Sequence, residues 1–254
     1  MPGNAGYGQN AHNDSAGPAR AMNYNDQFNL AQGAKDWLNI LARPRQFFSD
    51  DRIVGSPGLL TPLVLMLLYC VPVVLSYVIN GAYTSSALAR MPQIARVPRV
   101  GPMFAGGGVL ITILVGLPII FAGVFLASWV IHLVGLLFAN QSRYSASFRA
   151  LVFAWAPLPI LGLIASLFPR SGTLQPHPVA NLLVFIGLVW FLVLLVMAVS
   201  SEQQIGTSQA VGVVIISGIG SAILAFGIGI ALFIVFAILI AVAAAGAHGM
   251  IPLH

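Results

Sequence analysis

The sequence predicts an all-α fold: a polytopic membrane helix bundle with five transmembrane helices and an N-terminal interfacial amphipathic segment. Three observations predict it. Only 7% of the 254 residues are charged and 58% are hydrophobic, with a mean hydropathy of +0.92, whereas a soluble domain carries about 25% charged residues. The charges are also confined, with no Asp, Glu, Lys or Arg from Ile53 to Ala89, Val100 to Ser142, Ala150 to Pro169, Ser171 to Ser201 or Gln203 to His254. Each gap can hold the about 20 apolar residues that cross a bilayer. Third, the stretch from Ile131 to Pro159 ends one apolar run, crosses a short turn with Arg143, Tyr144 and Arg149, and enters another run carrying Pro157 and Pro159.

Residues 1–29 are rich in Gly, Asn and Ala. They bury too little apolar surface to offset the entropy of ordering and are expected to form a disordered polar tail. No apolar leader core occurs there, so the first membrane helix is expected to direct insertion. In residues 30–52, Trp37, Leu38, Ile40, Leu41, Phe47 and Phe48 recur at roughly helical spacing, with Lys35, Asp36, Arg43 and Arg45 between them. That pattern is amphipathic and too charged to span. Pro44 interrupts one helix and suits the first turn of the next. Trp37, Leu41 and Phe48 are the expected anchors at the membrane interface; the alternative is that this face packs on the protein itself.

Residues 53–245 form the transmembrane domain. The first span is expected over Pro57 to Asn80, kinked at Pro72, and the second over Val109 to Phe138, overlong and bent at Pro118. Between them a long loop holds Arg90, Arg96 and Arg99, with a short helix in its AYTSSALARM part. The third span, Ala150 to Phe168, has Trp155 beside Pro157 and Pro159. Its freed carbonyls require neighbours in lipid, so it is expected to face protein. The fourth covers Val179 to Val199 and the fifth Ala210 to about Ala245, with residues 246–254 as a short tail. Ser217, Ser221, Ala225 and Gly229 fall at i, i+4 spacing on the fifth, a seam for close helix approach. With Trp155, Pro157 and Pro159 they are the helix-packing candidates, and the proline turn is expected to meet Ser217, Ser221 or Ala225.

The ten arginines and one lysine flank apolar runs, which points to lipid headgroups and topology and away from nucleic acid. With the N-terminus inside, the inner segments carry seven cations and the outer four. The positive-inside rule then places the N-terminus in the cytoplasm and the C-terminus on the opposite side. Cys70 is the sole cysteine and lies within a span, as packing. His132, near the end of the second span, reads as a structural residue.

Several motifs together resemble the Yip domain family of five-helix membrane proteins, named for the Ypt-interacting proteins. They are WLNILARPRQFF (Trp37 to Phe48) followed by GSPGLLTPLVL; His132-Leu133 with Tyr144, Ser147 and Arg149; FAWAPLP (Phe153 to Pro159); and EQQIGTSQAVGVVI (Glu202 to Ile215). The resemblance covers about Trp37 to Val242 and looks closest to the bacterial branch, which implies an inner (plasma) membrane location. The Asp-Leu-(Tyr/Phe)-Gly-Pro segment that trafficking members tend to have before the first span is missing, which speaks against a Rab-type GTPase partner.

The chain holds no H-E-x-x-H, no metal-spaced Cys/His cluster and no nucleophile motif, so neither an enzyme nor a cofactor is expected. A transporter or channel for a small solute is the alternative reading, against which stands the expectation that no charged side chain is buried within a span. The reading that remains is an adaptor, scaffold or accessory subunit, in contact with the bilayer and with other integral membrane proteins or a larger membrane complex.

Overall fold

The computed structural model describes residues 29–50, 58–89, 110, 112–138, 142–168 and 177–248. Every regular element among them is helical. The expected N-terminal tail, most of the long loop and the last six residues lie outside the described residues.

Helix α1 (Leu30–Ala42) starts where the Asn29 side chain accepts a hydrogen bond from the Gln32 amide at 3.1 Å, a cap for one of the donors a helix start leaves open. It stops at Arg43, whose backbone is not helical, because the ring of Pro44 crowds the residue before it. Pro44 opens the one-turn α2 (Pro44–Phe48) at the position that needs no amide donor. Gly33, Asp36 and Ile40 are the buried positions of α1, spaced three and four apart on one face. A side chain at Gly33 would meet Val64 at 2.7 Å, so α1 lies directly on the next helix.

Five helical segments are long and apolar enough to cross a membrane: Leu60–Tyr83, Ile113–Phe138, Tyr144–Ser166, Pro178–Glu202 and Thr207–Val235. The first belongs to α3 (Leu60–Ala89), which continues through most of the AYTSSALARM stretch where a separate short helix was expected. The second begins as a π-turn (Thr112–Gly116) and continues as α4 (Leu117–Phe138). The π-turn sits where Pro118 can neither donate to the preceding turn nor clear its carbonyl, and the wider winding relieves that conflict.

The third span starts at Tyr144, six residues before the expected boundary, and is built from two helices, α5 (Tyr144–Ala154) and α6 (Pro157–Ser166). Trp155 and Ala156 form the turn between them. Pro157 and Pro159 cannot donate to Phe153 and Trp155, and tighter bonds replace the missing ones. The Ala156 amide reaches Phe153 O at 3.3 Å and the Leu158 amide reaches Trp155 O at 3.1 Å. The broken turn thus repairs its own backbone locally, as membrane helices can.

Helix α7 (Pro178–Glu202) begins with Pro178 in its first turn and the His177 ring accepting from the Val179 amide at 3.2 Å. It ends in a tight turn where Gln204 takes a positive φ of 52°, a left-handed conformation that closes helices. The Ile205 amide then returns to Ser200 O and the Ser200 hydroxyl donates to Ile205 O at 2.8 Å. Helix α8 (Thr207–His248) follows at once.

Helix α5 is the centre of the bundle, with every residue from Ala146 to Ala154 buried. Helices α3, α4 and α7 surround it, α6 packs on α3 and α7, and α8 lies against α4 and α7. Helices α1 and α2 cover one end, where Phe47 meets Phe153 edge-on at 5.3 Å.

Candidate functional site: a buried polar clasp at one end of the bundle

An apolar bundle in lipid gains little from hydrophobic contrast between its helices, so its polar groups and close contacts decide what is held where. The polar groups gather at the end covered by α1 and α2. Arg149, one turn and a half into α5, is 2% exposed and its side chain meets Glu202 at the last residue of α7. Nε and Nη2 both donate to Glu202 Oε2, at 3.0 and 2.7 Å. Nη1 points to Gly58 O at 3.5 Å, just ahead of α3. One guanidinium therefore ties together three spans at the same end of the bundle.

Next to it, the Gln203 amide nitrogen donates to the Ser147 hydroxyl at 3.1 Å, again joining α5 to the end of α7. The same amide group lies against Gly135 of α4, where an added Cβ would sit 2.6 Å from Gln203 Oε1 and 2.9 Å from Ser142 Oγ. Ser142 in turn meets the His132 ring nitrogen Nδ1 at 3.1 Å. His132 is thus a structural partner at the foot of α4. The chain of contacts runs from α4 through α5 to the α7–α8 turn.

Charge neutralisation and helix fastening are what this arrangement can do. Arg149 and Glu202 cancel each other in a buried setting, where removing either partner strands the other charge. Among the described residues, no three His, Cys, Asp or Glu side chains are grouped to hold a metal ion.

The expectation that no charged side chain is buried in a span is corrected: Arg149, Glu202 and, on α1, Asp36 are buried. In the sequence Arg149 looks like part of the turn, because the charge-free run begins only at Ala150. A signal for the pair was present, since Glu202 is the only acid after Asp51 and a lone acid bordering a span needs a cation. Asp36, which stands between the apolar positions of the segment, turns inward and accepts from the Gln32 side chain at 2.8 Å.

The interface anchors are placed differently too. Trp37 packs edge-on against Tyr69 with centroids 5.0 Å apart, and its indole Nε1 donates to Ala156 O at 2.8 Å. Leu41 is half-buried against the core and Phe48 is fully within it. All three face the bundle, because the proline-broken turn offers Trp37 a carbonyl and α3 and α5 offer aromatic partners.

The neighbours found for the proline turn come from α3, α4 and α7. Trp155 and Pro159 border a narrow slot of about 20 Å³ together with Met66, Tyr69, Cys70 and Val73 of α3 and Leu117, Ile120 and Phe121 of α4. Pro157 is buried at the start of α6, which packs on α3 and α7. Of the seam, Ser217 is buried, Ser221 half-buried, and Ala225 and Gly229 exposed. Helix α8 approaches α4 instead, with Gly220 beside Val130.

Comparison with known families gives one result: the model of the Yip1 domain matches residues 38–230. It does not extend to the bacterial branch named above. No curated protein and no solved structure matches the chain. The match spans well over half of the chain, including the end of α1, all of α2, the proline-broken third span and the clasp. The chain belongs to the Yip1 domain family.

Proposed function

We propose that this membrane protein is an embedded adaptor, scaffold or accessory subunit that offers a lateral helix face to other integral membrane proteins. One observation supports it most. The chain's own packing covers α8 only through its first turns, where Ala210, Val213, Val214 and Ser217 are buried. Beyond Ser217 no described position of α8 is buried, and Gly227 and Gly229 have open space where a side chain would point. In lipid such small positions are where a second helix can come close.

The clasp supports the transport reading least. A solute path needs polar groups that can exchange partners, and both guanidinium donors here converge on a single carboxylate oxygen.

We further infer from the excess of cations flanking the N-terminal side of the spans that the N-terminus and the clasp face the cytoplasm. In a Cys70→Ala background, a cysteine at position 10 is then labelled only from the cytoplasm and one at position 250 only from the opposite side. Labelling of both from one side overturns that orientation.

Photo-crosslinkers at Phe226 and at Phe185 test the adaptor reading. Both residues are exposed, on α8 and α7 respectively. In native membranes the Phe226 probe is expected to give discrete protein adducts and the Phe185 probe mainly lipid adducts. Lipid adducts alone at both sites overturn the reading.

A further inference from the structure

Helix α1 has a second face, and its position says what that face meets. Trp37 touches Tyr69, nine residues past the start of α3, and Ala156, twelve residues past the start of α5. At about 1.5 Å per residue these partners lie roughly 13 and 18 Å along their spans. Gly33 sits against Val64 and Leu68 of the same span. The helix therefore closes the clasp end of the bundle by lying against the flank of α3 there, and its other face is turned away from the protein.

Its inner face, Gly33, Asp36 and Ile40, is used up against the protein. Outward, Leu30 and Leu38 are 51% and 66% exposed. They stand eight residues apart with Ala34 between them, on one stripe. Lys35, Arg43, Arg45 and, across the end of the bundle, Arg143 are exposed as well. The acids nearby are mostly turned inward: Asp36 and Glu202 are buried, and Asp50 is half-buried beside Arg43 and Gln46. Among the described residues the accessible charge of this cap is positive, and it borders bare leucines.

We propose that the outward face of α1 is a binding surface for anionic phospholipid. Leu30 and Leu38 enter the acyl boundary, and Lys35, Arg43 and Arg45 hold phosphate headgroups around them. Helices with an apolar stripe flanked by cations bind in this way, and basic residues beside a span select anionic lipid. The cap then has two jobs on two faces, closing the bundle inward and gripping lipid outward. The inference stands apart from the adaptor reading, which concerns α8.

Two measurements on the full-length protein in nanodiscs test it. In a Cys70→Ala background, a fluorophore at Leu38→Cys is expected to be quenched by nitroxide attached to lipid chains near the headgroup, and to resist aqueous iodide. Quenching by iodide alone, or protection from both quenchers by a covering protein, overturns the proposal. The second compares retention of spin-labelled phosphatidylglycerol with spin-labelled phosphatidylcholine. Wild type is expected to prefer the anionic lipid, and each cation contributes up to about fivefold. The Lys35→Gln, Arg43→Gln, Arg45→Gln variant falls towards parity, whereas Arg143→Gln, away from α1, changes it less. An unchanged preference in the triple variant, with α1 still docked by Trp37 fluorescence, overturns the assignment of the headgroup site.

Discussion

Helix α5 and the far half of α8 are both apolar membrane helices, and they are opposites in use. Nine consecutive residues of α5 are buried, Ala146 to Ala154. On α8, Phe226 is 72% exposed and Ile223 and Phe233 are similarly bare. What separates them is the polar side chains. Helix α5 carries Ser147 and Arg149, each with a partner on or just after α7, and α8 offers nothing comparable past Ser217 among the side chains described. In a bilayer, apolarity places a residue in the membrane and leaves open whether it faces lipid or protein. The rare polar residue settles that question.

The largest expected effect comes from breaking the clasp. Arg149→Ala leaves Glu202 as a buried charge and is expected to lower stability in detergent by about 3–5 kcal/mol. Arg149→Met with Glu202→Leu removes both charges and is expected to recover most of that loss, by thermal unfolding of the three proteins. A double variant as unstable as the single one means that the clasp matters through packing rather than charge.

Phe153→Ala on α5 ranks next. Phe153 is fully buried against Phe47 and Phe48, and truncating such a side chain costs about 3–5 kcal/mol. Trp37→Phe keeps most of the ring and removes only the bond to Ala156 O, for about 0.5–1.5 kcal/mol. The smallest effect is expected at Phe226→Ala, within about 0.5 kcal/mol for the isolated protein. A loss at Phe226 as large as at Phe153 shows that α8 is already covered in detergent, and the contrast between the two helices collapses.

Much of this architecture was readable in the charge gaps, because a bilayer permits few solutions for long uncharged runs. The five spans and the break at Pro44 came from that rule and from proline chemistry. The start of the third span did not, since Arg149 resembles a loop cation until its partner, 53 residues away, is known. The orientation of α1 was hidden for a related reason. Its buried stripe contains Asp36 and Gly33, which hydrophobic periodicity scores as solvent positions, while Leu38 on the opposite face looks like core. The proline turn was expected to need a seam of small residues, and its carbonyls were instead met by local amides and by one indole. Small residues on α8 say that something can approach closely and carry no address for what does.

The spacing within the clasp also orders events during synthesis. Arg149 leaves the ribosome 53 residues ahead of Glu202, an interval of about 3–10 s at ordinary elongation rates of 5–20 residues per second. Throughout that interval the arginine has no carboxylate to neutralise it. Burying that arginine as in the finished bundle is costly until the fourth span delivers the acid. A ribosome stalled with Glu202 still in its exit tunnel would therefore leave a half-made protein whose central helix lacks the carboxylate that neutralises it.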